Sequence, residues 1–173
     1  MSSNKDARIR VVKDGPYMVI GNVPLIREAA VREGDRPPTK WRKVAEYPLK
    51  ERYALCRCGQ TKSSPYCDGS HAATKFDGTE TAVRRTRREK PRLIKGPGVD
   101  MDPNAAPCAR AQFCQREGGI GRLIADSGNK EKRDLAIEIA GQCPAGRLVI
   151  YDKIEGAPIE REIERSISVT EDP

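Results

Sequence analysis

Between Cys56 and His71 the chain places three of its six cysteines and its only histidine. That density of metal-binding donors constrains the fold more than any hydrophobic pattern elsewhere, because the side chains must converge on whatever they hold. The spacing divides them into pairs. In an extended segment, residues i and i+2 point the same way, so Cys56 and Cys58 can hold one metal atom from a strand edge. Cys67 and His71 are four apart, and a helix beginning just after Cys67 carries both toward a common point. Two pairs imply two metal centres. Gly59 permits a turn and Pro65 biases Ser64 toward an extended conformation, so the chain can fold back between the pairs. Asp68 suits the N-cap of a short helix expected over Gly69 to Lys75.

In full, the stretch reads Cys56-Arg57-Cys58-Gly59-Gln60-Thr61-Lys62-Ser63-Ser64-Pro65-Tyr66-Cys67-Asp68-Gly69-Ser70-His71. It resembles the CDGSH (NEET) iron-sulfur signature, C-x-C-x2-(S/T)-x3-P-x-C-D-G-(S/A/T)-H, with every specified position in register. The resemblance implies a [2Fe-2S] cluster with one iron on Cys56 and Cys58 and the other on Cys67 and His71. It also implies one-electron transfer or cluster transfer and, in many members, a homodimer. Replacing a thiolate by a neutral imidazole makes such a cluster less negative, which raises its potential above that of an all-cysteine centre. Protonation of His71 would compete with its iron bond, so cluster lability at low pH is expected, with a redox or pH sensor as the alternative role. A Cys3His zinc site draws on the same residue types, but structural zinc usually separates paired cysteines by two to four residues rather than one.

The chain has 173 residues, 37% of them hydrophobic, 5% aromatic and 33% charged. That length suits one medium domain or two small ones, and the low apolar content argues against one large core. Bound metal would supply the stability such a core lacks. No stretch has the apolar core of a signal peptide or approaches membrane-spanning length, so a reducing cytoplasm is expected and disulfides are not. The net charge of +7 is uneven: residues 1–98 hold 22 basic and 11 acidic side chains, residues 99–173 hold 10 and 14. Two modules follow, the basic one suited to an acidic partner protein.

Ile9, Val11, Tyr17 and Val19 bracket Lys13-Asp14-Gly15-Pro16, which predicts a hairpin, and Gly21 to Leu25 leads toward a third strand. Residues 26–43, charged and carrying Pro37-Pro38, read as a loop, with Trp41 and Tyr47 packing at the edge of the small sheet. Tyr53-Ala54-Leu55 leads as a strand into Cys56. The Gly15-Pro16-Tyr17 turn is similar to that of microbial CDGSH members, so the resemblance extends over residues 8–80, where it implies a β-rich cap over a cluster-binding lobe. The run from Arg84 to Lys95 is strongly basic but lacks the aromatics or reading helix of specific nucleic-acid recognition, so it reads as a linker over residues 81–97.

Cys108, Cys114 and Cys143 form a second set. The last opens Cys143-Pro144 after an amphipathic helix expected from Glu131 to Gly141, and Leu148 to Tyr151 follow as a strand. The order is similar to single-cluster bacterial ferredoxins, in which a C-x2-C-x2-C run and a remote Cys-Pro hold a cubane cluster. Ala111 stands where the middle cysteine would be. Three thiolates suit a [3Fe-4S] cluster, or a [4Fe-4S] cluster with its fourth iron on another group; the alternative is three buried or free thiols. The resemblance covers residues 98–152, and residues 153–173 read as a C-terminal arm ending in a strand near Ile163, Ile167 and Val169.

The expected molecule is thus α+β, a small β-rich CDGSH cap and cluster-binding lobe followed by a ferredoxin-like α+β lobe. It is expected to carry single electrons and not to be an enzyme, since its one histidine is committed to metal and no nucleotide fingerprint appears. Its partner would be a redox protein or an apo iron-sulfur acceptor.

Overall fold

Asp14, in the left-handed region at φ 49°, turns the chain tightly enough for Gly15 N–H to reach Val12 O and Val12 N–H to reach Pro16 O. The expected hairpin forms across this turn, β1 (Arg8–Val11) antiparallel to β2 (Tyr17–Ile20), with Ile9 opposite Val19. The computed structural model in which these elements are seen describes residues 7–81, 92–104, 107–160 and 162–170. The third strand of the sheet is β5 (Arg52–Leu55), on the other side of β2, with Tyr53 opposite Val19. Side chains on one face of the sheet alternate inward, so Val19, Tyr53 and Leu55 gather with Val23 and Leu25 into a buried cluster of five. The Tyr53 hydroxyl donates to Val23 O at 2.9 Å, so the ring is buried without stranding its polar end.

Residues 26–43 are not a loop. They form most of β3 (Leu25–Val31) and β4 (Lys40–Glu46), adjacent strands joined through a turn at Gly34, which takes φ 58°. Thr39 N–H to Val31 O and Tyr47 N–H to Leu25 O close the ladder at its two ends. The strand expected near Ile167 and Val169 also forms, as β10 (Ile167–Thr170) against β3, and both side chains pack on the first core.

The remaining strands make a four-stranded sheet in the order β6 (Ile94–Lys95), β7 (Val99–Pro103), β8 (Leu148–Asp152), β9 (Pro158–Ile159), antiparallel throughout. Between β7 and β8 the chain forms an irregular 3-10 segment (Phe113–Gly118), α2 (Ile120–Ala125) and α3 (Lys130–Gly141). The helix expected from Glu131 starts one residue earlier because Asn129 Oδ1 accepts from Lys132 N–H, an N-cap in the ordinary sense. Met101 lies opposite Ile150, and both meet Leu123, Ile124, Ala136 and Ile139 in a core of ten buried residues. Strands and helices thus contribute to one core, and the chain is α+β.

The chain divides into two units. The first comprises residues 1–27, 45–84 and 164–169, the second residues 28–44, 85–163 and 170–173. The basic run from Arg84 lies, through Pro91, outside the described residues. Among the described residues no helix is long and apolar enough to cross a membrane.

Candidate metal centre

β5 delivers Cys56. A single antiparallel bridge between Leu55 and Tyr66 sets the segment entering Cys67 beside it, with Cys56 N–H on Pro65 O and Cys67 N–H on Ala54 O, both at 2.9 Å. The fold-back therefore places the two donor pairs on either side of one bridge. Gly59 takes φ 74° at the turn, and the Ser64–Pro65 peptide is cis. Thr61 holds the intervening loop, its hydroxyl donating to Tyr66 O at 2.7 Å and accepting from Ser63 N–H at 3.1 Å.

Within each pair the separations suit a shared metal. Cys56 Sγ and Cys58 Sγ lie 3.8 Å apart, and two thiolates at ~2.3 Å on one tetrahedral ion would lie about 3.8 Å apart. Cys67 Sγ and His71 Nδ1 lie 3.3 Å apart, against about 3.5 Å for a sulfur and a nitrogen on one such ion. Three thiols and an imidazole grouped two and two are a donor set that fits a binuclear iron-sulfur group. Among the described residues no three Cys, His, Asp or Glu side chains converge on a single ion position.

The expected helix is shorter than its sequence implied, spanning α1 (Ser70–Ala73) with Gly69 as N-cap at φ 89°. Asp68 acts from one position earlier: Oδ1 accepts from Ser70 N–H at 3.0 Å and Oδ2 from Lys62 N–H at 2.8 Å. Those two amides, Lys62 first, hold its carboxyl well below the usual carboxylate range. The thiols are also addressed by amides. Gln60 N–H lies 3.5 Å from Cys58 Sγ, and Gly69 N–H 3.4 Å from Cys67 Sγ. At Cys56, burial pushes the thiol up, but amides of Thr61 and Gly59 outweigh it and leave the group below its ordinary value. Hydrogen bonds to sulfur favour thiolate, the form that binds metal.

Sequence reasoning missed Arg57. Its guanidinium sits 5.6 Å from the Tyr17 ring and 5.5 Å from the Phe76 ring, and donates to Gly78 O at 2.6 Å. A cation set between Cys56 and Cys58 thus ties the hairpin to the segment after α1. Gly78 N–H in turn donates to Asp14 Oδ1 at 3.0 Å. No spacing in the sequence announces this role, because the partners are two rings and two carbonyls that only folding brings to Arg57.

Cys108, Cys114 and Cys143 line a single cavity in the second unit, with about 290 Å³ of empty space, part of it open to solvent. Cys108 is exposed and the other two half-buried, and all six cysteines of the chain are free thiols. Arg110 at φ 56° and Gln112 at φ 67° flank Ala111, so the loop curls around the cavity where a regular helix would carry it past. Phe113 and Leu148 supply an apolar wall, and Arg147 Nη2 lies 3.9 Å from Cys114 Sγ. The three thiols thus border one space.

Trp41 does not edge the first sheet. Its ring packs 4.9 Å from the Phe113 ring, and its Nε1–H donates to Gln142 O at 2.8 Å. It therefore touches the residue before Cys114 and the residue before Cys143. Gln142 Nε2 also donates to Thr39 O, and Arg116 bonds to Glu138 at 2.9 Å. Of the charged residues in what looked like a loop, Arg32 also faces this part of the second unit, its Nη1 donating to Gln112 Oε1 at 2.9 Å.

Residues 14–72 match a family described as iron-binding zinc finger CDGSH type. Over 29 residues the chain is 55% identical to the CDGSH iron-sulfur domain-containing protein 2 homolog of Drosophila virilis. That segment is 17% of this chain and 22% of the relative, so the chain spans under a quarter of the relative's length. No solved structure matches the chain. Fold and donor set define a metal-binding β-rich lobe. The chain carries, in residues 14–72, a CDGSH-type iron-binding domain.

Proposed function

We propose that the protein holds a [2Fe-2S] cluster on Cys56, Cys58, Cys67 and His71 and uses it to pass single electrons to a partner protein, without being an enzyme. The observation that carries this reading is the pairing of donors, 3.8 Å between Cys56 Sγ and Cys58 Sγ and 3.3 Å between Cys67 Sγ and His71 Nδ1. A mononuclear zinc site would draw all four donors to one point, whereas a binuclear group needs two at each metal. When bound, the cluster supplies a one-electron redox couple at modest reorganisation. The chain's own residues do the rest. Amides of Gln60 and Gly69 hydrogen-bond to ligand sulfurs and stabilise added negative charge, while Tyr66 and Thr61 fix the loop between the pairs. His71, on the half-buried start of α1, is the ligand nearest an open hollow lined by Asp14, Lys75 and Phe76, where an electron partner or an apo iron-sulfur acceptor would approach.

A second, cubane-type cluster on Cys108, Cys114 and Cys143 belongs to the same proposal, supported by the shared cavity those thiols line. The two would form a ferredoxin-like relay. The experiment is iron and acid-labile sulfide per chain on anaerobically purified protein, with electron paramagnetic resonance of oxidised and reduced forms. About five or six irons with two distinct signals are expected for the two-centre protein. About two irons and one signal on reduction would leave the first site alone, and zinc without sulfide would sink the reading altogether.

A further inference from the structure

A site of three thiolates around an inorganic cluster accumulates negative charge in a half-buried space, and that charge favours the oxidised state unless something offsets it. In the second unit the lining of the cavity contains, among the described residues, no acidic side chain and two arginines, Arg110 and Arg147. Arg110 is exposed, but Arg147 is half-buried and held. Its main-chain carbonyl accepts from Asn104 N–H at 3.0 Å, and its Nη1 donates back to Asn104 O at 3.4 Å. This places Arg147 at the junction of β7 and β8, where Leu148 pairs with Pro103. The left-handed turn at Gly146, φ 55°, lies between it and Cys143. The other guanidinium nitrogen, Nη2, is the one 3.9 Å from Cys114 Sγ.

The geometry points to Arg147 as the residue that sets the reduction potential of the second centre without being a ligand, an inference that rests on the reading of Cys108, Cys114 and Cys143 as cluster ligands. A fixed positive charge beside a ligand sulfur stabilises the reduced state, which carries one more negative charge, and so raises the potential. Arginine suits the task because it stays charged at every working pH and its planar fork can serve Asn104 and Cys114 at once. The electron itself comes from the external reductant or partner. Arg147 takes up and releases nothing.

The test is a redox titration of anaerobic full-length protein, poised with dithionite and mediators and read by the second centre's paramagnetic signal, for the wild type, Arg147→Met and Arg147→Lys. The expected result is a lower midpoint in Arg147→Met, a midpoint near wild type in Arg147→Lys, and no change at the first centre in either. An unchanged midpoint in Arg147→Met overturns the assignment, as does Arg147→Lys falling as far as Arg147→Met. Iron content separates the remaining outcomes. Loss of the second centre's iron in Arg147→Met but not in Arg147→Lys supports the charge role, whereas loss in both makes the contact one of shape and overturns it. Wild-type protein with only about two irons per chain overturns the reading beneath the inference, and the inference with it.

Discussion

Arg57 shows how much one side chain can contribute when it is boxed on several sides. Two ring faces and two carbonyls receive its guanidinium, so Arg57→Met should lower the first unit's stability by about 2 kcal/mol, read as a lower urea midpoint. The result would be contradicted by a midpoint within error of wild type. Trp41, the chain's only tryptophan, reports on the other unit. Because its indole touches the neighbours of Cys114 and Cys143, a cluster held there should quench its emission, and Cys114→Ser should restore it. Equal emission from both proteins would argue that no cluster sits there. At this scale the candidate donors were legible because thiol and imidazole carry their metal chemistry in the residue type itself. Arg57 and Trp41 were not, since their roles depend on rings and carbonyls brought near by folding, which no spacing announces.

Elements were legible where a local rule agreed with the tertiary demand. The Asp-Gly turn made its hairpin and Asn129 started α3, both from short-range chemistry. The β3–β4 hairpin was hidden because its strands are rich in charge and most of their residues remain partly or fully exposed, so no alternation survives for sequence to show. Around the four-stranded sheet, three carboxylates are held below their ordinary range. Asp100 is bonded by the Lys153 ammonium, Asp134 by the Lys130 ammonium, and Asp152 by the amides of Glu155 and Ile154. A depressed folded value means stability that is present above the unfolded carboxylate value, near pH 4, and is lost as pH falls through the lower folded value. The second unit should therefore lose stability from about pH 4 downward. Asp152→Asn keeps an accepting oxygen but not the charge, so it should flatten part of that slope in urea melts taken at pH 7 and pH 3. An unaltered slope would remove Asp152 from the account.

Across the whole molecule the two cores differ in size, five buried residues in the first unit and ten in the second. The smaller depends more on bound metal. After the metal is chelated, amide hydrogen exchange should accelerate at Val19, Tyr53 and Leu55 while Ile139 and Ile150 keep their protection, and a uniform acceleration would contradict this. The interleaving of the two units along the chain was not legible, since a hydrophobic pattern says that a strand exists and not which core it joins. Residues 28–44 belong with the second unit and 164–169 with the first. Ile167 and Val169, on β10, complete the packing around Val19 and Leu25 although they are made long after His71. During synthesis the five buried residues of the first core, all made before Cys56, therefore leave the ribosome ahead of the donor stretch, whereas β10, which covers them, emerges only after the strands of the second core. The first unit can thus collapse around its hairpin while the second is still being made, and its last strand arrives as a cover.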